Sequence, residues 1–544
     1  MMQKIKPFLP QFMLAILTLI SRYTYSGFER TVWGDEPFYL WLGRNWFRGD
    51  DYNFAFTGHW DYHHTPGYPF ITAVLTQLTG DMQRASEWSF ILFSVLLVLI
   101  VYALARRIYG WRSAFAAGVI LALAPASALM PLYWGTMTEI PYWALAFTGV
   151  YFAHRTYRHF RYRDVALSGV FLALAYYMRP EAVVFLGAMG LILGVRALSQ
   201  APRLRRLTYP ALLGVVFLLA VFPYLYRVRQ ETGTWTISQK VGAHFATAAG
   251  LASGRFQQFD VETWGLDSSG QEVRFFSRET ADASAEAYIS ADPAGYARII
   301  YGNTHNLLRQ LISPHLLPAF ALIFLGLALF RKSWSRSRAW DELFLFATLL
   351  PGLSFVFFFV QERYIAALIP TLFIWFGHGV MEMGDWLVGT GERLLPEKHA
   401  RWPGWKRLIW LPLLVLAFFY LLYTPRQIDT ATNPGSTREA HDLAATTLAS
   451  TIEPDDIVMA RYVSIAFHAG AEWIPTPAAD VDAVLAYAQR KGADYWAIDE
   501  FEAHSLRLQF SSLFDNPDAA PPELQFVTRV EDESGSVVIY RIKP

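Results

Sequence analysis

Apolar residues recur in runs of about 18 to 22 positions from near the N-terminus to Tyr423, separated by polar connections. Each run is long enough to cross a hydrocarbon core of ~30 Å as a helix. The pattern predicts eleven spans, at 8–27, 87–105, 113–131, 138–154, 165–179, 181–198, 209–227, 313–330, 341–360, 363–384 and 408–424. Lys4 and Lys6 ahead of the first run resemble the start of a signal peptide, but no small-residue cleavage pattern follows, and Arg22 and Tyr23 continue the segment. The first run therefore reads as an uncleaved span.

Basic residues in short connections collect on the cytoplasmic side of a membrane. Here they fall in connections of one parity: Lys4 and Lys6; Arg106, Arg107 and Arg112; Arg155, Arg158, Arg161 and Arg163; Arg196, Arg203, Arg205 and Arg206; Arg331, Lys332, Arg336 and Arg338; and the stretch from Arg393 to Arg407. The short connections of opposite parity carry only Arg179 and Arg363, or no basic residue around Pro131 to Glu139. This places the N-terminus in the cytoplasm. After an odd number of crossings, the loops 28–86 and 228–312 and the C-terminal segment share the outer side.

Phe38, Trp41, Leu42, Trp46, Phe47 and Phe54 make the first outer loop aromatic, as expected of helices lying at headgroup level and capping the bundle. The 228–312 loop is polar over 267–285 and regains apolar character over 296–311, so its centre is expected to be mobile. From Pro425 the pattern changes to short apolar runs alternating with helical ones, as in a small α/β domain of 425–544. Ser436 and Glu439 have capping-box spacing ahead of a helix over 440–450. Strands are expected at 456–460, 494–498 and 537–542, and a helix over 483–490 ends at Gly492. This segment shows neither a Gly-rich phosphate loop nor a dense acid-histidine cluster, and reads as an accessory domain.

Composition agrees with a membrane protein: 53% of residues are hydrophobic, 17% are charged, and mean hydropathy is positive. The formal net charge of zero hides the segregation along the chain, and no basic block with interleaved aromatics suggests nucleic acid. The absence of cysteine excludes disulfides, thiolate metal sites and a cysteine nucleophile.

Asp35 and Glu36, followed by Pro37, fit an ordinary helix start. Directly after an outward-going span they also stand where a carboxylate can deprotonate a hydroxyl acceptor beside a lipid-anchored substrate. Glu139 follows the next inside-to-outside crossing and reaches the same face. His59, His63 and His64 share the loop with Asp35, and with carboxylates such as Asp35 and Glu139 they could hold a divalent cation, although adjacent histidines lack a firm ligand spacing. Arg179 and Arg363 stand beside acids in Arg179-Pro180-Glu181 and Glu362-Arg363-Tyr364. They either pair locally and snorkel or, with Lys240, bind a lipid phosphate.

In this order Gly34-Asp35-Glu36-x-x-Tyr39, His64-Thr65-Pro66-Gly67-Tyr68-Pro69, Thr138-Glu139, Arg179-Pro180-Glu181 and Glu362-Arg363-Tyr364 resemble the GT-C membrane glycosyltransferases. The similarity is to the group related to protein O-mannosyltransferases and aminoarabinose transferases, and spans most of the chain. It implies a polytopic α-helical membrane protein with an extracytoplasmic α/β domain, in the cytoplasmic membrane of a bacterium. It also implies a polyprenyl-phosphate-linked sugar as donor and a lipid, glycan or protein acceptor. Asp35 would be the base, seconded by Glu36 and Glu139. Arg363, Lys240 and Arg179 would meet the donor phosphate, and His63, His64, Tyr39 and Tyr364 the sugar or acceptor, with inversion at the anomeric carbon. Aminoarabinose transferases have a lysine where this chain has Thr65, so a phosphate contact there does not carry over.

Two other readings compete. A flippase or transporter of lipid-linked saccharides needs charge and a cavity at the midplane, whereas the charges here collect at one face and no internal repeat is visible. A scaffolding protein leaves the acidic pair and its aromatic loop without a role.

Overall fold

The apolar runs become helices. The computed structural model describes residues 8–26, 32, 34–127, 137–238, 256–277, 286, 289–290, 292–394, 405–432, 438–453 and 455–543. Its longer helices up to residue 432 are α1 (Leu9–Ser26), α2 (Glu36–Arg48), α3 (Gly67–Thr79), α4 (Met82–Tyr109), α5 (Trp111–Leu123), α6 (Glu139–His159), α7 (Tyr162–Met178), α8 (Ala182–Leu198), α9 (Arg203–Thr232), α10 (Phe256–Trp264), α11 (Pro293–Leu311), α12 (Ala321–Phe330), α13 (Arg336–Ala347), α14 (Ile369–Leu394) and α15 (Leu411–Thr432). A helix lies at every expected span, but among the described residues only five segments are long and apolar enough to cross a membrane by length and composition: Met82–Tyr109, Arg203–Thr232, Arg336–Phe357, Glu362–Leu394 and Trp405–Gln427. The chain is a multi-pass membrane protein. The last helix runs through Pro425 to Thr432, past the change of pattern at 425.

Lipid gives helices little hydrophobic reason to associate, so close backbone approach through small residues matters. The buried helix α14 shows this on two sides. A Cβ at Gly377 would lie 2.3 Å from the Ala117 nitrogen of α5, and one at Gly379 would lie 1.8 Å from the Phe324 carbonyl oxygen of α12. The basic connections meet at one end of the bundle. Arg158 pairs with Asp341, Arg331 with Glu382 at 2.8 Å, Lys332 with Glu382 at 2.6 Å and Arg338 with Glu342 at 3.2 Å.

At the other end, part of the aromatic surface of α2 meets the C-terminal domain, while Trp46 and Phe47 stay exposed. Phe38 packs on Trp473 at 5.2 Å, Trp41 on Phe467 at 5.7 Å, and Arg44 pairs with Glu472 at 2.6 Å. A half-apolar helix can satisfy more than one surface, and here the C-terminal domain covers the part that carries Phe38 and Trp41.

The C-terminal domain begins with α16 (Arg438–Ala449) and contains β1 (Ile457–Ala460), α17 (Val463–Ala469), β2 (Glu472–Pro475), α18 (Val481–Lys491), β3 (Tyr495–Asp499), β4 (Leu524–Asp532) and β5 (Gly535–Ile542). The expected cap residue Ser436 lies outside the described residues, whereas Gly492 ends α18 at φ 68°. The sheet order is β2-β1-β3-β5-β4, with β2, β1 and β3 parallel, β5 antiparallel to β3, and β4 antiparallel to β5. All five residues of β3 are buried, as in a parallel strand covered on both faces.

Folding assembles a buried cluster of arginines and acids in this domain, which the sequence did not reveal. Arg507 donates to Asp260 of α10 at 2.7 Å, to Glu502 at 2.6 Å and to the Thr476 carbonyl at 2.7 Å. Arg461 reaches Asp260 at 3.1 Å, and His441 lies 3.6 Å from Asp499. Burial outweighs the pull of Arg507 and lifts the Glu502 carboxyl from the ordinary 4.5 to about 8. A carboxyl raised on folding contributes stability that is complete below 4.5 and is lost as pH rises through 8. The melting temperature of the detergent-solubilised protein is therefore expected to fall across that window, with Glu502→Gln flattening the slope.

Candidate active site

Gly34 turns the chain at φ 63°, a conformation open to glycine, and delivers Asp35 to the start of α2. Asp35 occupies the N-cap position without capping through its side chain. Its carboxylate instead lies 3.5 Å from the Arg363 guanidinium and is 48% exposed. The neighbouring Glu36 turns away: it is buried, accepts a 2.6 Å hydrogen bond from the Ser86 hydroxyl of α4, and is absent from the cavity lining. Successive helical residues project about 100° apart, so one member of the acidic pair faces the cavity and the other the bundle.

The cavity has a volume of about 370 Å³, and Asp35, Tyr39, His63, His64, Glu139, Arg179, Arg363 and Tyr364 all line it. Lys240 lies outside the described residues. Arg179, between α7 and α8, donates to Glu139 at 2.7 Å, to the Thr138 hydroxyl at 3.2 Å and to Glu181 at 3.1 Å. Burial disfavours its charge, but Glu181 and Glu139 outweigh that and raise its pKa. Arg363 donates to the Tyr364 hydroxyl at 3.0 Å and to Gln361 at 3.1 Å. Both guanidinium groups stand over the Tyr364 ring, at 5.3 and 4.9 Å from its centre.

The second motif of the first loop forms the adjoining wall. The Thr65 hydroxyl donates to the Met178 carbonyl at 2.8 Å and so ties this loop to the end of α7. Gly67 permits the same approach, since a Cβ there would lie 2.6 Å from the Tyr177 carbonyl oxygen. The Asp61 carboxylate holds the His64 backbone N–H at 2.8 Å and ring Nδ1 at 3.1 Å. Although burial raises the Asp61 pKa, His64 brings it below the ordinary value. Tyr39 meets the His64 ring edge-on at 5.2 Å, and burial, reinforced by Asp35, pushes its phenol well up, so it stays protonated.

The metal candidates Asp35, Glu139 and His64 share the cavity but do not form a ligand set. Glu139 is engaged by Arg179 and His64 by Asp61, and among the described residues no group of three or more histidines and acids is arranged to hold an ion.

Sequence reasoning missed the aromatic part of the lining, supplied by Phe259, Thr263 and Trp264 of α10, by Phe275, and by Phe355, Phe358 and Phe359. The aromatic content of 256–276 was its available signal. Removing one partner of a buried ion pair leaves the other charge uncompensated, which costs about 3–5 kcal/mol. Arg179→Ala is therefore expected to lower the melting temperature sharply, while Arg179→Ala with Glu139→Gln and Glu181→Gln recovers part of the loss.

Residues 63–226 match the family model described as dolichyl-phosphate-mannose-protein mannosyltransferase. No curated protein matches the sequence. Among solved structures, the chain is similar to ArnT from Cupriavidus metallidurans bound to undecaprenyl phosphate, with 14% identity, 97% of each chain covered and a TM-score of 0.62. It is also similar to the Archaeoglobus fulgidus oligosaccharyltransferase tethered to an acceptor peptide, with 12% identity, 92% of this chain and 70% of the other covered, and a TM-score of 0.60. A second structure of the archaeal protein, AglB in complex with an inhibitory peptide and dolichol phosphate, matches with 12% identity over the same shares, 92% and 70%, and a TM-score of 0.58. The resemblance carried by the motifs thus extends to the whole architecture, and this chain has the fold of the GT-C membrane glycosyltransferases.

Proposed function

We propose that the protein is a glycosyltransferase that moves a sugar from a polyprenyl-phosphate carrier to a hydroxyl acceptor at the outer face of a bacterial cytoplasmic membrane. Its N-terminus is inside and its C-terminal domain outside. The observation that carries this reading is the pairing, in one cavity at the end of the bundle away from the basic connections, of an accessible carboxylate with a half-buried guanidinium: Asp35 and Arg363. The lipid phosphates in the Cupriavidus and Archaeoglobus structures support the carrier class.

The three cavity acids divide their tasks by access. Glu139 and Glu181 are 3% and 21% exposed and are bound to Arg179, whereas Asp35 is 48% exposed. Asp35 is thus placed to take the proton of the acceptor hydroxyl as its oxygen attacks the anomeric carbon. The bond from that carbon to the phosphate oxygen breaks on the opposite side, so the configuration inverts. The lipid phosphate leaves with an additional negative charge, which Arg363 and the Arg179 edge of the cavity stabilise. Tyr39, His63, His64 and Tyr364 shape the space for the sugar and acceptor, and Glu36 supports α2 from behind.

A positioned general base contributes about 10²–10⁴ in rate. In proteoliposomes supplied with polyprenyl-phosphate sugars and an acceptor extract, Asp35→Asn is expected to reduce product formation by that factor while polyprenyl phosphate still binds. Unchanged turnover would remove Asp35 as the base. A flippase would move the carrier without releasing polyprenyl phosphate.

A further inference from the structure

The charged groups of the cavity belong to the bundle side: Asp35, Glu139, Arg179, Glu181 and Arg363. The wall supplied by 256–277 presents Phe259, Thr263, Trp264 and Phe275, with one hydroxyl and no charge. Trp264 and Phe275 lie with ring centres 5.5 Å apart and planes within 20°, and His63 continues the row at 5.5 Å and 16° from Phe275. Aromatic rings of this kind take a further flat apolar partner on a face that the row leaves uncovered.

The backbone of this wall is already paired. Gly265 N–H donates to Val261, Arg274 N–H to Gly265 and Phe276 N–H to Val273, while the Trp264 carbonyl accepts from Ala478 N–H of the C-terminal domain at 2.8 Å. It is therefore ill suited to add an extended peptide by main-chain pairing. A pyranose ring suits it better: its face of C–H bonds packs on aromatic rings, and Thr263 and His63 add polar groups to the same lining.

The wall is also fixed from behind. Asp260, one residue from Phe259, is the buried carboxylate that Arg507 and Arg461 grip. The C-terminal domain thereby sets the position of α10 relative to Asp35.

We infer that the Phe259, Thr263, Trp264 and Phe275 wall is an acceptor subsite for a neutral saccharide ring, held in register by the C-terminal domain through Asp260. The inference rests on the glycosyltransferase reading and adds the chemical class of the acceptor.

The test uses the full chain in nanodiscs, with saturation-transfer NMR on maltotriose and on a threonine-containing peptide, and undecaprenyl phosphate binding measured in the same preparations. Wild type is expected to saturate the ring C–H protons of maltotriose and not the peptide. Trp264→Ala and Phe275→Leu should each weaken this by roughly tenfold, the upper end of an aromatic stacking contribution, with Trp264→Phe restoring most of it. Asp260→Asn should weaken maltotriose binding as well, with undecaprenyl phosphate binding unchanged. Maltotriose signals that persist in Trp264→Ala, preference for the peptide, or undecaprenyl phosphate binding without saccharide binding would each overturn the subsite. Failure of wild type to bind undecaprenyl phosphate would overturn the glycosyltransferase reading instead.

Discussion

Arg179 bridges Glu139 and Glu181 where three helices end, and the shape of the cavity depends on that bridge. Taking two carboxylates and a guanidinium out of water costs several kcal/mol per ion, and only close hydrogen-bonded pairing offsets it. The pairing joins the start of α6 to the connection between α7 and α8, while Thr65 ties the first loop to the last carbonyl of α7. With Glu139 and Glu181 committed to Arg179, Asp35 is the most accessible of the three acids. Structural and chemical duties are thus separated among residues of one charge type.

The C-terminal domain is built into this arrangement from two directions. Through Trp473 and Phe467 it covers part of the aromatic face of α2, the helix that begins at Asp35. Through Arg507 and Arg461 it holds Asp260 on α10, the helix that adds Phe259, Thr263 and Trp264 to the cavity lining. A shift of the domain would therefore move both α2 and α10. That makes the buried ionic cluster around Glu502 a matter of site geometry as well as stability.

How much of this could be read from the chain follows from the range of the interactions. The helices were legible as apolar runs because bilayer thickness sets a minimum length for a span, but among the described residues five segments reach that length and the count of eleven does not follow from them. Arg179 and Arg363 stood out because they break a charge rule that acts over whole loops. Spacing and charge alone did not separate Asp35 from Glu36, since adjacent positions share those signals and differ only in which helix face meets the cavity; the resemblance alone put Asp35 first. The Asp260 to Arg507 contact joins residues 247 positions apart, and each alone is an ordinary charged residue. The aromatic row of Trp264 and Phe275 was hidden for a related reason: a polar loop carrying a few rings reads the same whether those rings meet lipid, solvent or a ligand.

The proposed chemistry also fits the charge balance of the cavity. Asp35, Glu139 and Glu181 face Arg179 and Arg363, a surplus of one negative charge when all are ionised. A phosphodiester donor adds one more. As the acceptor proton passes to Asp35, that carboxylate loses its charge while the departing phosphate gains one, so the sum within the cavity does not change. Arg363, 3.5 Å from Asp35, then sees negative charge transferred from one neighbour to another rather than created. A cation shared between base and leaving group lowers the cost of separating them, because stabilisation lost at Asp35 is recovered at the phosphate. This explains why a base with an arginine beside it, which would ordinarily be a weaker base, is chemically useful here: the same guanidinium stabilises the charge that the proton transfer releases.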